Sequence, residues 1–323
     1  MILTRAPLWR IYAGFAVLLV AFWLLASKTN YPVGAGFWLL VMALWAVAWF
    51  INMRLANSEP GSGVLKRFNA IAVPALFGVT LLFLWEFVVK GFGVPLVLLP
   101  APSDIWAKLI TSLPILRDDF VQTFLRAVLP GWAVGSLAGF ITAILCDRVP
   151  FLKQGLLPLG NLVAALPMVG VAPIMVMWFG FDWQSKFAVV VIMTFFPMLV
   201  NAVTGLQAAG HLERDLMHSY GASWFGALLK LRLPAAMPFV FNALKINSTL
   251  ALIGAIVAEF FGTPIVGMGF RISTEVGRLG LEMVWAEIAM AAIAGSAFYG
   301  AIALIERAVT FWHPSFRARP GRA

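Results

Sequence analysis

Residues 213–238, ERDLMHSYGASWFGALLKLRLPAAMP, form the one long polar and basic segment between strongly apolar blocks. Leu212, Leu216 and Tyr220 recur at i, i+4 and i+8, a spacing that places them on one face of a helix. Gly221 follows, a residue that takes left-handed backbone without steric cost, and so it predicts the end of that helix. Ser223 is read as the N-cap of a second short helix, with Trp224, Leu228 and Leu231 on one side. Pro234 lacks an N–H and clashes with the preceding turn, so it is expected to end the second helix. The segment is thus read as a helix-turn-helix elbow lying on a membrane surface.

Outward from the elbow the chain is apolar. Of 323 residues, 62% are hydrophobic and 11% charged, with a mean hydropathy of +0.92. Globular domains are about half apolar and about a quarter charged, so this composition implies an all-α, polytopic membrane protein whose surroundings are a lipid bilayer. The net charge of +9 raises nucleic acid as a partner. Lys and Arg, however, sit in short loops between apolar runs and form no basic stripe or aromatic platform, which argues against that reading. The single cysteine, Cys146, lies in an apolar run and offers neither a disulfide framework nor zinc spacing. It is read as a small buried hydrophobe. His211, His218 and His313 are scattered without metal-ligand spacing, and no G-x-S-x-G turn occurs. Catalytic, metal and cofactor residues are therefore expected to be absent, and the chain is not read as an enzyme.

Eight spans are expected, at about residues 10–27, 34–52, 69–89, 126–146, 155–178, 187–206, 235–260 and 285–308, since a helix needs about 20 apolar residues to cross the hydrocarbon. The first two form an N-terminal hairpin. Arg5 and Arg10 precede it as in a signal peptide, but no small-residue cleavage site follows and the span is read as retained. RLANSEPGSGVLKR, residues 54–67, reads as a polar linker. GFGVPLVLLPAPSDIWAKLITSLPILRDD, residues 91–119, is expected on the outer surface, with Ser103 and Asp104 capping a short helix near Ile105. With both termini inside, the cytoplasmic loops hold about twice as many Lys and Arg as the outer ones, which selects that orientation. The expected organisation is a hairpin and linker over residues 1–60, a transmembrane domain over 61–316 containing a cytoplasmic loop at 207–234, and a basic tail over 317–323.

Asp215, Gly221, Leu231, Leu233 and Pro234 stand at the spacing of the EAA loop of bacterial ABC importer permeases. The family pattern is an acid, two alanines, a glycine six residues after the acid, then a branched apolar residue and Leu-Pro. The pattern departs at Leu216 and Met217, which replace the paired alanines. LPAPSDIWAKL, ALPMVGVAPIMVMWFGF, TFFPMLVNAVTGL, NALKINSTLALIGAIVAEFFG and IERAVTFWHPSFR likewise resemble permeases of the nitrate, sulfonate and taurine group, which also includes carriers of thiamine pyrimidine precursors and riboflavin. The resemblance covers about residues 69–316; the N-terminal hairpin lies outside the six-span core of a type I ABC importer permease.

The resemblance implies an importer driven by ATP through alternating access. No G-x-x-x-x-G-K-[ST] stretch is present, so ATP would be bound by a separate ATPase, in two copies. A separate solute-binding protein and a second permease, forming a homodimer, complete the expected assembly. Asp215, Leu216, Met217, Tyr220, Gly221, Trp224, Leu231, Leu233 and Pro234 are the expected ATPase-coupling residues, with Arg214, Lys230 and Arg232 turned to acidic or backbone acceptors. The bland alternative is an interfacial amphipathic helix on which nothing docks. The first expectation for the solute is a small organic anion such as a sulfonate, taurine or nitrate; the competing one is a thiamine pyrimidine precursor or riboflavin-like vitamin. From other classes, an ATPase-independent secondary transporter predicts inverted repeats, and an intramembrane enzyme predicts clustered carboxylates or histidines. Neither pattern is evident in the sequence.

Ionisable residues inside apolar blocks are the other candidates, since each costs at least about 2.5 kcal/mol at membrane depth. Glu86, Glu259 and Glu287 fall near span ends and are expected to be interfacial. Lys245, with Asn242 and Asn247, gives its span a polar side, consistent equally with pathway lining and with nearness to the cytoplasm. Pro167 and Pro173 flank MVGVA and should kink or break their span, which gives Met168 to Ala172 a place on the pathway. Gly131, Gly135 and Gly139 carry the small-xxx-small spacing of close helix packing.

Overall fold

The computed structural model describes residues 8–26, 34–58, 63–164, 167–262 and 265–312, which are almost entirely helical and contain no strand. The chain divides into two units, one reaching from the N-terminus to Thr111 together with Leu279–Trp285, the other comprising Ser112–Arg278 and the residues from Ala286 onward.

In the first unit, α1 (Leu8–Ala26), α2 (Ala35–Ala56) and α3 (Gly63–Gly91) pack through Phe22, Phe37, Val41, Ala48 and Phe87. Phe22 stacks on Phe83 with ring centroids 5.0 Å apart. One polar knot fixes the register: Asn69 Nδ2 donates to Leu55 O at 3.3 Å and to Ser58 Oγ at 2.7 Å, while Tyr12 OH donates to Asn69 Oδ1. The polar linker is shorter than its composition implies. Helix α2 continues to Ala56 and α3 already begins at Gly63, because Leu55 and Asn69 are tied across the turn; residues 59–62 lie outside the described residues. Near the end of α3, Glu86 is buried rather than solvated and pairs with Lys90 at 2.5 Å. Its carboxylate also accepts the backbone N–H and hydroxyl of Ser103, at 3.0 and 2.8 Å. Ser103 therefore does not cap α4 (Pro102–Thr111). Asp104 Oδ2 instead accepts the N–H of Ala101 just before the helix, at 3.2 Å.

The second unit is organised on α9 (Trp183–Gln207), against which α6 (Leu129–Arg148) and α12 (Leu233–Glu259) pack most extensively. The glycine repeat of α6 sets the approach. A Cβ at Gly131 would meet Val190, one at Gly135 would meet Thr194 and the backbone of Val191, and one at Gly139 would meet the carbonyl of Phe195. The close-packing reading of that repeat is borne out. Between the same three helices, Asn247 Nδ2 donates to Ser136 Oγ at 2.9 Å and to Thr194 O at 2.7 Å. Ala143, Cys146, Met198, Leu199, Ala202 and Ala243 fill the layer near one end, with Cys146 buried as a small hydrophobe.

Among the described residues six helical runs are long and apolar enough to cross a membrane: 35–56, 63–91, 113–148, 183–207, 224–259 and 281–309. Two begin earlier than hydropathy implies. Helix α5 (Leu113–Phe120) runs through a π-helical stretch, Val121–Val128, into α6, and α11 (Trp224–Ala227) runs through a second one, Leu228–Arg232, into α12. The expected span at 155–178 consists of two shorter helices, α7 (Pro150–Ala164) and α8 (Met168–Phe179). Pro167 starts α8 with extended backbone (φ −67°, ψ 113°), as a helix-breaking proline predicts, whereas Pro173 is accommodated within α8. The remaining helices are α10 (His211–Ser219), α13 (Met268–Gly277) and α14 (Leu281–Val309).

Candidate functional site

The elbow begins with α10 and ends as its sequence dictates. Gly221 has φ +69°; its N–H donates to His218 O at 2.9 Å, and that of Ala222 donates to Met217 O at 3.0 Å. This pair of bonds is the Schellman arrangement, which satisfies carbonyls that a helix end leaves without partners. Ser223 then caps α11, its Oγ accepting the N–H of Gly226 at 3.2 Å. Pro234, by contrast, does not end the second helix. The π-turn Leu228–Arg232 makes the N–H of Leu233 reach back five residues to Leu228 O, so Pro234 falls in the first turn of α12, where no N–H is required.

The elbow presents an apolar face. Leu212, Tyr220 and Phe225 are 84%, 80% and 61% exposed, and Leu216 and Leu229 are exposed beside them. Asp215 is exposed on the same helix and Met217 is half-buried. Trp224, Leu231, Leu233 and Pro234 turn partly inward. Trp224 and Leu233 pack on Leu206, Leu228 and Ala236, and the Arg148 guanidinium lies 5.0 Å from the Trp224 ring centre. Trp224 thus anchors the elbow instead of standing free beside Tyr220.

Arg232 is not available to an external partner. Its two terminal nitrogens donate to both carboxylate oxygens of Asp147 at the end of α6, and Nε donates to Leu206 O at 3.1 Å. This fork ties three helix ends together through all three guanidinium nitrogens. Arg214 Nη2 donates to Gln207 O at 2.7 Å, while Lys230 is exposed.

A second polar centre joins α5, the first π-stretch, α12, α13 and α14. Asp119 is fully buried and accepts Arg271 Nε at 2.8 Å and the N–H of Gly267 at 2.6 Å. Glu259 accepts Thr123 Oγ1 at 2.8 Å and the N–H of Gly269 at 2.7 Å. Glu287 is 0% exposed and its two oxygens accept no hydrogen bond among the described residues, although it faces Asp119. Glu259 and Glu287 are therefore buried structural groups, not solvated interfacial ones: helix and loop backbone closes over them where hydropathy alone shows only the end of a span. Burial opposes the charge of Arg271, but hydrogen bonds and charge from Asp119 more than offset it and hold its pKa above the ordinary arginine value. Lys186 is likewise buried, donating to Phe181 O at 2.5 Å, Asp182 O at 3.1 Å and Gly262 O.

The expected pathway residues are not gathered at one place. Pro167 and Pro173 are exposed on α8, and the Met168 side chain lies outside the described residues. Lys245 pairs with Glu306 of α14 at 2.7 Å. Asn242 is exposed with Asn201 of α9 at 3.5 Å, whereas Asn247 faces the opposite way, into the bundle. Five residues along a helix are about 500° of turn, so Asn242 and Asn247 cannot share a side. Asn201, Asp147 and Asp119 carry no local signal that distinguishes them; Asp119 and Arg271 meet across 152 residues of sequence. Among the described residues no group of three or more His, Cys, Asp or Glu could hold a metal ion.

The family model for "binding-protein-dependent transport system inner membrane component" matches residues 135–311, which contain the elbow and all of α9, α12 and α14. A formylaminopyrimidine transport permease protein of Halalkalibacterium halodurans, ThiX, is 30% identical over 255 residues, 77% of this chain and 98% of that protein. A probable ABC transporter permease protein of Haemophilus influenzae is 30% identical over 215 residues, 67% and 87% respectively. A putative aliphatic sulfonates transport permease protein of Bacillus subtilis, SsuC, is 25% identical over 269 residues, 82% and 95%. With an all-helical, multi-pass architecture and a matched region longer than half its length, the chain belongs to the inner-membrane permease subunits of binding-protein-dependent ABC importers, transport components and not catalytic ones.

Proposed function

We propose that this permease passes a small planar nitrogen heterocycle, of the class to which a formylaminopyrimidine belongs, through a pathway between two copies of the chain. The ThiX relative, matched over nearly its whole length, supports this over a sulfonate, whose carrier is the less similar of the two. A small organic anion is the second reading, favoured by the SsuC relative. Asn242, exposed on α12, and the half-buried Asn201 beside it on α9 offer amide groups suited to a polar heterocycle. Both termini, and the elbow, lie on the cytoplasmic side.

The observation that carries coupling is the exposed row Leu212, Leu216, Tyr220, Phe225 and Leu229 on an elbow fixed by the Gly221 turn and the Ser223 cap. Two ATPase subunits dock there, one on each permease. Leu216 and Met217, larger than the alanines of the family pattern, widen the contact and demand a matching hollow in the ATPase. Closure of the ATPases around ATP moves the elbows and shifts the bundle between states that differ in their elbow contacts, as any such shift requires. The assembly is completed by a solute-binding protein on the opposite side.

The test is uptake by proteoliposomes containing the permease, its partner ATPase and its solute-binding protein. ATP-dependent accumulation of formylaminopyrimidine, undiminished by excess taurine, is expected. Accumulation of taurine or an alkyl sulfonate alone replaces the heterocycle with the anion, and uptake without any ATPase removes the coupling reading altogether.

A further inference from the structure

A cavity of about 810 Å³ lies between the elbow and the ends of α6 and α7; Met217 and Trp224 stand on its wall, but none of the exposed residues Leu212, Leu216, Tyr220, Phe225 and Leu229 does. Its wall includes Lys153, His211, Arg214 and His218. Asp147 is the single acid among the lining residues, and both of its oxygens are taken by Arg232. Lys153 and Arg214 therefore face the space with no acidic neighbour on the wall. Arg214 spends Nη2 on Gln207 O, and its Nε is buried with no hydrogen-bond acceptor among the described residues. The guanidinium therefore brings to the wall a positive charge that no free carboxylate among the lining residues offsets, and an anionic acceptor suits it.

The location narrows the chemistry. The membrane-crossing runs end at Arg148 and Gln207 and begin at Trp224, and the cavity is walled by Asp147, Gln207 and Trp224. It thus lies at the depth where phosphate headgroups meet water, and basic pockets at span ends suit such groups.

We propose that this cavity is an anion site for a phosphate group, held by Arg214 and Lys153 with His211 and His218 as further donors, and that the occupant fastens α10 of the elbow to α7. The phosphate belongs either to an anionic phospholipid or to a free phosphate compound. Either occupant would stiffen the elbow before any ATPase arrives, so binding is a property of the permease alone and does not depend on the docking reading above.

The full chain is purified in detergent and treated with phenylglyoxal, and modification of Arg214 is followed by peptide mass. Inorganic phosphate, at ionic strength matched with chloride, and vesicles of phosphatidylglycerol against phosphatidylcholine are the probes. Protection of Arg214 by at least tenfold is expected from one of the anionic probes and from neither chloride nor phosphatidylcholine. Protection by phosphatidylglycerol alone assigns the phosphate to lipid, and protection by inorganic phosphate assigns it to a free compound. In parallel, Lys153→Gln should lower retention of the protecting anion about tenfold and Lys153→Arg should restore it. Equal modification of Arg214 under all conditions in the wild-type chain overturns the site without recourse to any variant, as does undiminished binding by a folded Lys153→Gln, Arg214→Gln chain.

Discussion

Arg232, the last residue of the π-helical stretch that leads from α11 into α12, grips both carboxylate oxygens of Asp147, 85 residues earlier at the end of α6. The pair is shielded, with 13% and 5% of the two side chains exposed. Removing one member leaves the other charge buried without its partner, which typically costs about 3 kcal/mol or more. Asp147→Ala should therefore lower the unfolding midpoint of the detergent-solubilised chain and loosen the elbow enough to reduce ATPase retention. Arg232→Lys should recover only part of the loss, since an ammonium cannot reproduce the two-pronged contact. Unchanged melting and ATPase capture in Asp147→Ala would show that the fork contributes nothing to holding the elbow.

Gly221 tests the turn by backbone alone. No atom lies within 4 Å of a Cβ built there, so a side chain meets no clash and only the φ of +69° resists it. Left-handed backbone costs an ordinary residue about 1–2 kcal/mol, and a β-branched one tolerates it least, whereas asparagine visits it readily. Gly221→Val should uncouple ATP hydrolysis from uptake, and Gly221→Asn should keep most of the wild-type rate. Equal behaviour of the two variants in the proteoliposome assay would show that the turn conformation is not what couples.

How much of this was legible beforehand divides along the range of the interactions. The Gly221 turn, the Ser223 cap, the break before α8 and the close packing of Gly131, Gly135 and Gly139 depend on residues within a few positions of each other or on one-residue chemistry, and their sequence signals hold. Pro234 misled because a π-turn five residues long absorbs it, and nothing in LLKLRLP distinguishes a widened turn from a stop. Glu259 and Glu287 misled because hydropathy measures distance along a span and not what covers its end. Thr123 and Gly269 close over Glu259 from 136 and 10 residues away, and Asp119 of α5 faces Glu287 of α14. A single sequence carries no trace of such pairings, and the Asp147–Arg232 fork was hidden for the same reason.

Glu287 offers a stabilising substitution. Its buried oxygens accept nothing among the described residues and face Asp119, itself an acceptor already serving Arg271 and Gly267. Glu287→Gln keeps the shape and provides an amide donor toward Asp119, so it should raise the unfolding midpoint, by an amount corresponding to about 1 kcal/mol. Arg271→Gln should do the reverse, because it strips the buried Asp119 of its cation. A lower midpoint for Glu287→Gln would mean that Glu287 serves as an acceptor for a donor outside these residues.

The N-terminal hairpin should prove separable at small cost. Phe22 and Phe37 cover Phe83 and Phe87 of α3, but in a membrane lipid tails are as apolar as phenylalanine and replace much of that contact. The specific loss is polar: deleting residues 1–60 removes Tyr12, Leu55 and Ser58 together, which are the partners of Asn69. Interhelical hydrogen bonds in membranes are worth about 0.6 kcal/mol on average and up to about 1.7. The truncated chain should accordingly insert, melt slightly below the full chain and still retain the ATPase, whose proposed docking surface is on the elbow. Adding Asn69→Leu to the truncation should return most of the lost stability, since the orphaned amide is then gone. A truncated chain that inserts but captures no ATPase, with or without Asn69→Leu, would give the hairpin a part in assembly that the packing of α1 and α2 on α3 does not account for.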